Sequence, residues 1–283
     1  MKYYSAVFIL LFTVSLTLAQ NNQSQFQYSN REDGFFNTVK SDFNDFFNSG
    51  LGILKSPLNF QTKDYLILGA VVGTTALSFL ADNKIRNEIG NIRSDKLNNY
   101  TRPGEFYGRV YLATYFSGAV YLGGHILGNS EIRKTGLILI EAVLINGMIT
   151  EVLKIGFGRS RPLEKEGNVD FDGLKFNNPD NSFPSGHTST AFTISTVLAE
   201  RIKNPFVSVI LYSLAGLTAF QRIYSDNHWF SDTILGAAIG IFVGHSLVSL
   251  HEDNTTISNE SMHMSLLPYY DSRNYGVSFN LTM

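Results

Sequence analysis

From residue 65 to residue 250 the chain repeats one pattern, an apolar segment of about 15 to 19 residues followed by a polar break. Strands bury about 4 to 8 residues, so segments of this length are helices. Three of them, 65–81, 107–127 and 135–153, precede Lys154, and three more, 188–202, 206–220 and 229–250, follow it. A charged, Asn-rich connection at 82–105 separates the first two. Such a series predicts an all-α fold, a bundle of about six helices. Mean hydropathy is only 0.00, and several segments carry internal Gly, Ser and Thr. Yet 206–220 and 234–250 are apolar nearly all round, which suits lipid or the middle of a bundle better than water. Membrane spans are the expectation, with a soluble periplasmic bundle as the alternative.

The two ends differ from this middle. Lys2 precedes an apolar stretch at 6–18, and Thr17-Leu18-Ala19 before Gln20 has the small-x-small form of a signal-peptidase site. Residues 1–19 therefore read as a signal peptide and imply an exported start. Residues 20–60 hold a polar leader and then an amphipathic helix. In it Phe35, Phe36, Val39, Phe43, Phe46, Phe47 and Leu51 recur at helical spacing, a face for a bilayer surface or for the core. Residues 61–250 form the main domain. The tail, 251–283, alternates apolar and polar residues on both sides of Asp271-Ser272-Arg273-Asn274, the pattern of a β-hairpin.

A formal charge of -2 with scattered Lys and Arg offers no basic stripe, so nucleic acid is not an expected partner. With no cysteine, thiolate chemistry and Cys-based zinc sites are excluded. Catalysis must come from His, carboxylates or hydroxyls.

Such residues gather in three clusters, each at a helix end that alternating helices place at the same end of the bundle. The first is Lys154, closing its helix, and Arg161-Pro162 just beyond; a point charge and a planar fork can converge on phosphate oxygens there. The second, Pro184-Ser185-Gly186-His187, leads into the helix at Thr188. Ser185 is a natural N-cap, Gly186 lets backbone approach a ligand, and the first-turn N–H groups make an anion site within reach of His187. Third come Arg222, His228 and Asp232. An i,i+4 spacing on an opening turn puts His228 and Asp232 on one face, where a carboxylate on one imidazole nitrogen fixes the tautomer and frees the other for attack. Each cluster also has a plainer reading, as a capped carbonyl, a Pro-Ser helix start or a surface His-Asp pair.

Taken in order, the three clusters resemble those of the type 2 phosphatidate phosphatase and vanadium haloperoxidase superfamily, over about residues 60 to 250. The resemblance implies a helical bundle with its active site at one end and facing the periplasm. Lys154, Arg161 and Arg222 would bind phosphate, Ser185 and Gly186 would contact it, and His187 would be general acid. His228 would be the nucleophile and Asp232 its partner. That is a metal-independent, cofactor-free phosphatase acting on a phosphorylated lipid or small phosphate ester. Where the family usually has Ser before the third-cluster Arg, this chain has Gln221.

No carboxylate cluster near these motifs suggests a metal. Asp170, Asp172 and Asp180 read as solvated loop acids, and His125, His245, His251 and His263 as structural. Trp229 either packs the nucleophile or sits at a membrane interface. A vanadium-dependent haloperoxidase would use the same oxyanion site, and a non-catalytic phospholipid-binding membrane protein would keep the cations but has no need of His187.

Overall fold

The computed structural model describes residues 35–174, 181–253, 263–271 and 274–282, and the proposed signal peptide lies outside them. Among the described residues nine α-helices form: α1 Phe35–Lys55, α2 Thr62–Ser78, α3 Asp82–Asn91, α4 Asp95–Tyr107, α5 Val110–Ile126, α6 Ser130–Phe157, α7 Gly186–Ile202, α8 Pro205–Tyr224 and α9 Phe230–Asp253. Two strands, β1 His263–Asp271 and β2 Asn274–Thr282, pair antiparallel with Tyr270 opposite Tyr275.

Local chemistry sets the boundaries. Asn129 starts α6 by accepting from the Glu131 and Ile132 N–H groups, and Asn204 starts α8 in the same way ahead of Pro205. Gly158 ends α6 in the left-handed region at φ 58°. Four helical segments are long and apolar enough to cross a membrane: 62–91, Ser130–Phe157, Pro205–Tyr224 and Phe230–Glu252. Their outer faces expose Leu66, Ile67, Val152, Phe206 and Val209, which suits lipid contact.

α7 lies inside this ring and is buried along most of its length by small polar residues. Thr188, Ser189, Thr193 and Thr196 each show at most 1% of their surface. Small side chains there let α9 approach closely through a glycine stripe. A Cβ on Gly236 would meet the Ser185 carbonyl oxygen at 2.7 Å, and one on Gly244 would meet Thr196 Cβ at 2.8 Å. The apolar core fills in around this contact with Val143, Ile194, Val197, Leu211, Val243 and Leu247.

The sequence pattern is corrected in one place. The connection at 82–105 folds into α3 and α4. Their stability is tertiary: Arg86 and Arg93 pair with Asp226, and Tyr224 Oη accepts from the Ser94 N–H at 2.9 Å while donating to the Ser94 carbonyl. Further along, the segment 107–127 becomes α5, which packs against α6 and is not among the four segments long and apolar enough to cross. At one end, a Cβ on Gly108 would strike the His187 carbonyl oxygen. At the other, Tyr121 Oη donates to Asp42 at 2.7 Å. With 17 residues α5 is about 26 Å long, slightly less than a hydrocarbon core of about 30 Å.

α1 lies across the end of the bundle remote from Lys154. Asp42 is held by Arg133 and Tyr121, Ser49 Oγ sits 3.3 Å from His251 Nε2, and Ile53 enters the core. On the opposite face Phe43 and Phe47 stay exposed.

Candidate active site

The starts of α7 and α9 are tied together. The Ser185 N–H donates to the Asp232 carbonyl at 3.0 Å. Ser185 Oγ accepts from the Thr188 N–H at 3.4 Å, making the expected N-cap, and lies 2.9 Å from Thr188 Oγ1. A Cβ placed on Gly186 would lie 3.9 Å from Lys154 Nζ. The end of α6 therefore delivers its ammonium over the opening turn of α7, where unpaired N–H groups and the helix dipole already favour an anion.

His228 is 3% exposed, and its Nδ1 lies 3.3 Å from Asp232 Oδ2. In that arrangement Nδ1–H donates and Nε2 keeps its lone pair. The same carboxylate oxygen accepts from the Trp229 N–H at 2.8 Å. Its other oxygen, Oδ1, takes the Arg159 guanidinium at 2.5 Å.

Arg159 is the central residue that sequence reasoning missed. Fully buried, it pairs with Asp232 and Asp82, donates to Ser231 Oγ at 2.7 Å and to the Asn168 carbonyl, and lies over the Phe79 ring at 4.2 Å. One fork thus clamps the starts of α3 and α9 around the carboxylate beside His228. Its only sequence signal is a third basic residue between Lys154 and Arg161; its partner at Asp82 is far away in sequence. Trp229 is resolved by the same packing: at 1% exposure its indole N–H donates to the Ser160 carbonyl at 3.0 Å, so it packs inside the fold next to His228 and not at a bilayer surface.

Arg161, His187 and Arg222 line one open cleft of about 860 Å³. Arg161 Nη1 donates to Asn227 Oδ1 at 3.2 Å. Arg222 is buried, and among the described residues its Nε has no hydrogen-bond partner. A desolvated guanidinium without a paired carboxylate is costly unless an anion visits it. The amide oxygen of Gln221 is also buried without a partner among the described residues, and the usual Ser hydroxyl is missing from this place.

Burial pushes the His228 imidazole well below the usual histidine range, helped by the Lys154, Arg161 and Arg222 charges. His187 is lowered to about 2, again by burial first and then by Arg222, His228, Lys154 and Arg109. Burial and the surrounding cations thus favour the neutral form of both rings, in which a ring nitrogen keeps its lone pair. A phosphate dianion among these cations would offset their field and favour the protonated rings.

Among the described residues no three His, Asp or Glu side chains gather as a metal ligand set. Asp170 accepts from Ser160 Oγ at 2.6 Å, His245 Nδ1 pairs with Glu200 at 2.9 Å, and His251 Nε2 pairs with the buried Glu141 at 2.9 Å.

The conserved description of the PAP2 superfamily matches residues 135–256. A lipid A 1-phosphatase of Porphyromonas gingivalis is 29% identical over 84% of this chain and 48% of its own length. A lipid A 4'-phosphatase of the same organism is 28% identical over 42% of this chain and 53% of its own. The chain thus spans about half the length of the curated relatives it matches. The crystal structure of Aquifex aeolicus LpxE shares 28% identity, covers 59% of this chain and 94% of its own, and superposes with a TM-score of 0.47. The stretch that matches the PAP2 superfamily contains Lys154, Arg161, His187, Arg222 and His228, so the part of the chain that builds the cluster is the part similar to that superfamily.

Proposed function

We propose that this protein is a metal-independent phosphatase that removes a terminal phosphate from a lipid through a phosphohistidine on His228. The observation that carries the reading is one helix-end cluster in which Lys154, Arg161 and Arg222 meet the N-terminus of α7 beside a carboxylate-oriented imidazole. Phosphoryl transfer passes through a loose transition state with charge spread over three oxygens, and three cations plus a helix N-terminus match that demand.

In the first step the Nε2 lone pair of His228 attacks phosphorus in line, the bond to the leaving oxygen breaks, and His187 gives that oxygen its proton. In the second, His187 takes a proton from water as the oxygen attacks the phosphohistidine, and inorganic phosphate leaves. Asp232 holds the productive tautomer and stabilises positive charge on the ring, while Arg159 holds Asp232. Ser185 and Gly186 bring first-turn N–H groups to the phosphate. Residues 61–250 carry all of these groups.

Lipid A phosphate is the first substrate to test, because the two Porphyromonas gingivalis relatives are named for it. The experiment is phosphate release by purified protein from lipid A, phosphatidate, phosphatidylglycerol phosphate and undecaprenyl diphosphate, with His228→Ala as control. Release from none of them refutes the reading.

The site is proposed to face the periplasm. With an exported start, a periplasmic site requires that one of the first three apolar segments does not cross, and 107–127, the segment of α5, is not among the four long and apolar enough to cross. A reporter fused after Asn178 that is active only in the cytoplasm contradicts the proposed orientation.

A further inference from the structure

The cleft has a second wall that the phosphate chemistry does not use. It is built where α4 gives way to α5, from Glu105, Arg109, Val110, Tyr111, Thr114 and Tyr115. Arg109 pairs with Glu105, donates from Nη1 to Tyr111 Oη at 2.8 Å, and lies over the Phe106 ring at 4.5 Å. Three contacts fix the guanidinium, and Glu105 cancels its charge. Tyr111 and Tyr115 stand beside the pair with ring centroids 6.4 Å apart, and they are 51% and 70% exposed. So one wall is strongly cationic, whereas the other is formally neutral and carries hydroxyls and aromatic faces.

We propose that this second wall binds the leaving group and selects a neutral, hydroxyl-bearing one, such as a sugar, against a phosphate. The inference rests on the phosphatase reading above and deepens it by choosing between phosphate monoesters and diphosphates. His187 marks the border between the walls, since it must reach the leaving oxygen while lining the same cleft. What lies beyond that oxygen meets the Glu105–Arg109 pair. In a diphosphate this would be a second phosphate, and it would meet a cation already neutralised and a carboxylate that repels it. A sugar would meet hydroxyl partners on Tyr111 and Thr114, a carboxylate acceptor, and tyrosine rings that stack on its apolar face. Glu105 is therefore a specificity-determining residue, acting by charge.

The test compares kcat/KM for a glycosyl phosphate lipid and an isoprenyl diphosphate, using purified full-length protein in detergent. Wild-type protein should favour the glycosyl phosphate by about tenfold or more. Glu105→Gln leaves Arg109 uncompensated, and should shift the ratio at least about tenfold towards the diphosphate. The double variant Glu105→Gln, Arg109→Gln restores a neutral wall and should return the ratio towards wild type, which separates a charge effect from damage to the fold. A ratio unmoved in the single variant, or moved equally in the double variant, overturns the proposal. If wild-type protein releases phosphate from neither compound nor from the wider panel, it is the phosphatase reading that fails, and the inference falls with it.

Discussion

Gly236→Ala tests how the fold builds the site. The added Cβ would sit 2.7 Å from the Ser185 carbonyl oxygen, and ordinary van der Waals contact begins at 3.4 Å, so the helices must part by about 0.7 Å. Both atoms belong to structure with little freedom: Ser185 donates its N–H to the Asp232 carbonyl at 3.0 Å, and the lengthened contact is one residue from Gly186. Overpacking of this kind costs about 1 to 3 kcal/mol of stability. Its larger effect is on the chemistry, because a displacement near 1 Å between a nucleophile and its bound substrate costs about 100-fold in rate. We expect kcat/KM to fall about 10- to 100-fold in a phosphate-release assay, with a lower unfolding temperature in detergent. The control is Gly216→Ala, where an added Cβ meets nothing within 4 Å. It should keep full activity and gain up to about 1 kcal/mol from helix propensity. Full activity in Gly236→Ala, or equal losses in both variants, refutes the idea that close contact between α7 and α9 sets the site.

Arg159→Met leaves the buried Asp82 and Asp232 without their shared cation, so it should cost about 3 to 5 kcal/mol in thermal unfolding; Arg159→Lys should retain more stability but lose about 10- to 100-fold in kcat, since a point charge cannot serve both carboxylates. The pH dependence should be bell-shaped. His228 must be neutral, and its value is held below 6.5, so the acid limb should lie below pH 6.5; Arg222→Gln removes a depressing charge and should move that limb upward, while the alkaline limb reports loss of the His187 proton in the complex. Activity should survive EDTA and fall with orthovanadate, and loss on chelation that a divalent ion restores would contradict the metal-independent mechanism.

Much of the site was legible because its residues sit at helix ends, where sequence spacing converts directly into geometry. His228 and Asp232 are one turn apart, Ser185 is a local cap, and Lys154 and Arg161 flank one helix terminus. Arg159 and Asp82 were not legible, because their pairing depends on where α3 starts relative to α9. α3 and α4 were hidden for a similar reason: their sequences are polar, and contacts of Arg86 and Arg93 with Asp226 hold them. Those contacts also fasten the turn before His228, and Asp226 is kept below the usual carboxylate range by the two guanidiniums despite burial that opposes it.

The central claim is that His228 carries the phosphoryl group and His187 moves the proton. Rapid quenching without acid, using a ³²P-labelled substrate and peptide mapping, tests it directly. Label should appear on the peptide holding His228 and should be absent from His228→Ala, while His187→Ala should still label with a substrate that has a good leaving group. Label on the peptide holding His187, or stable label in the His228→Ala protein, would contradict the assignment.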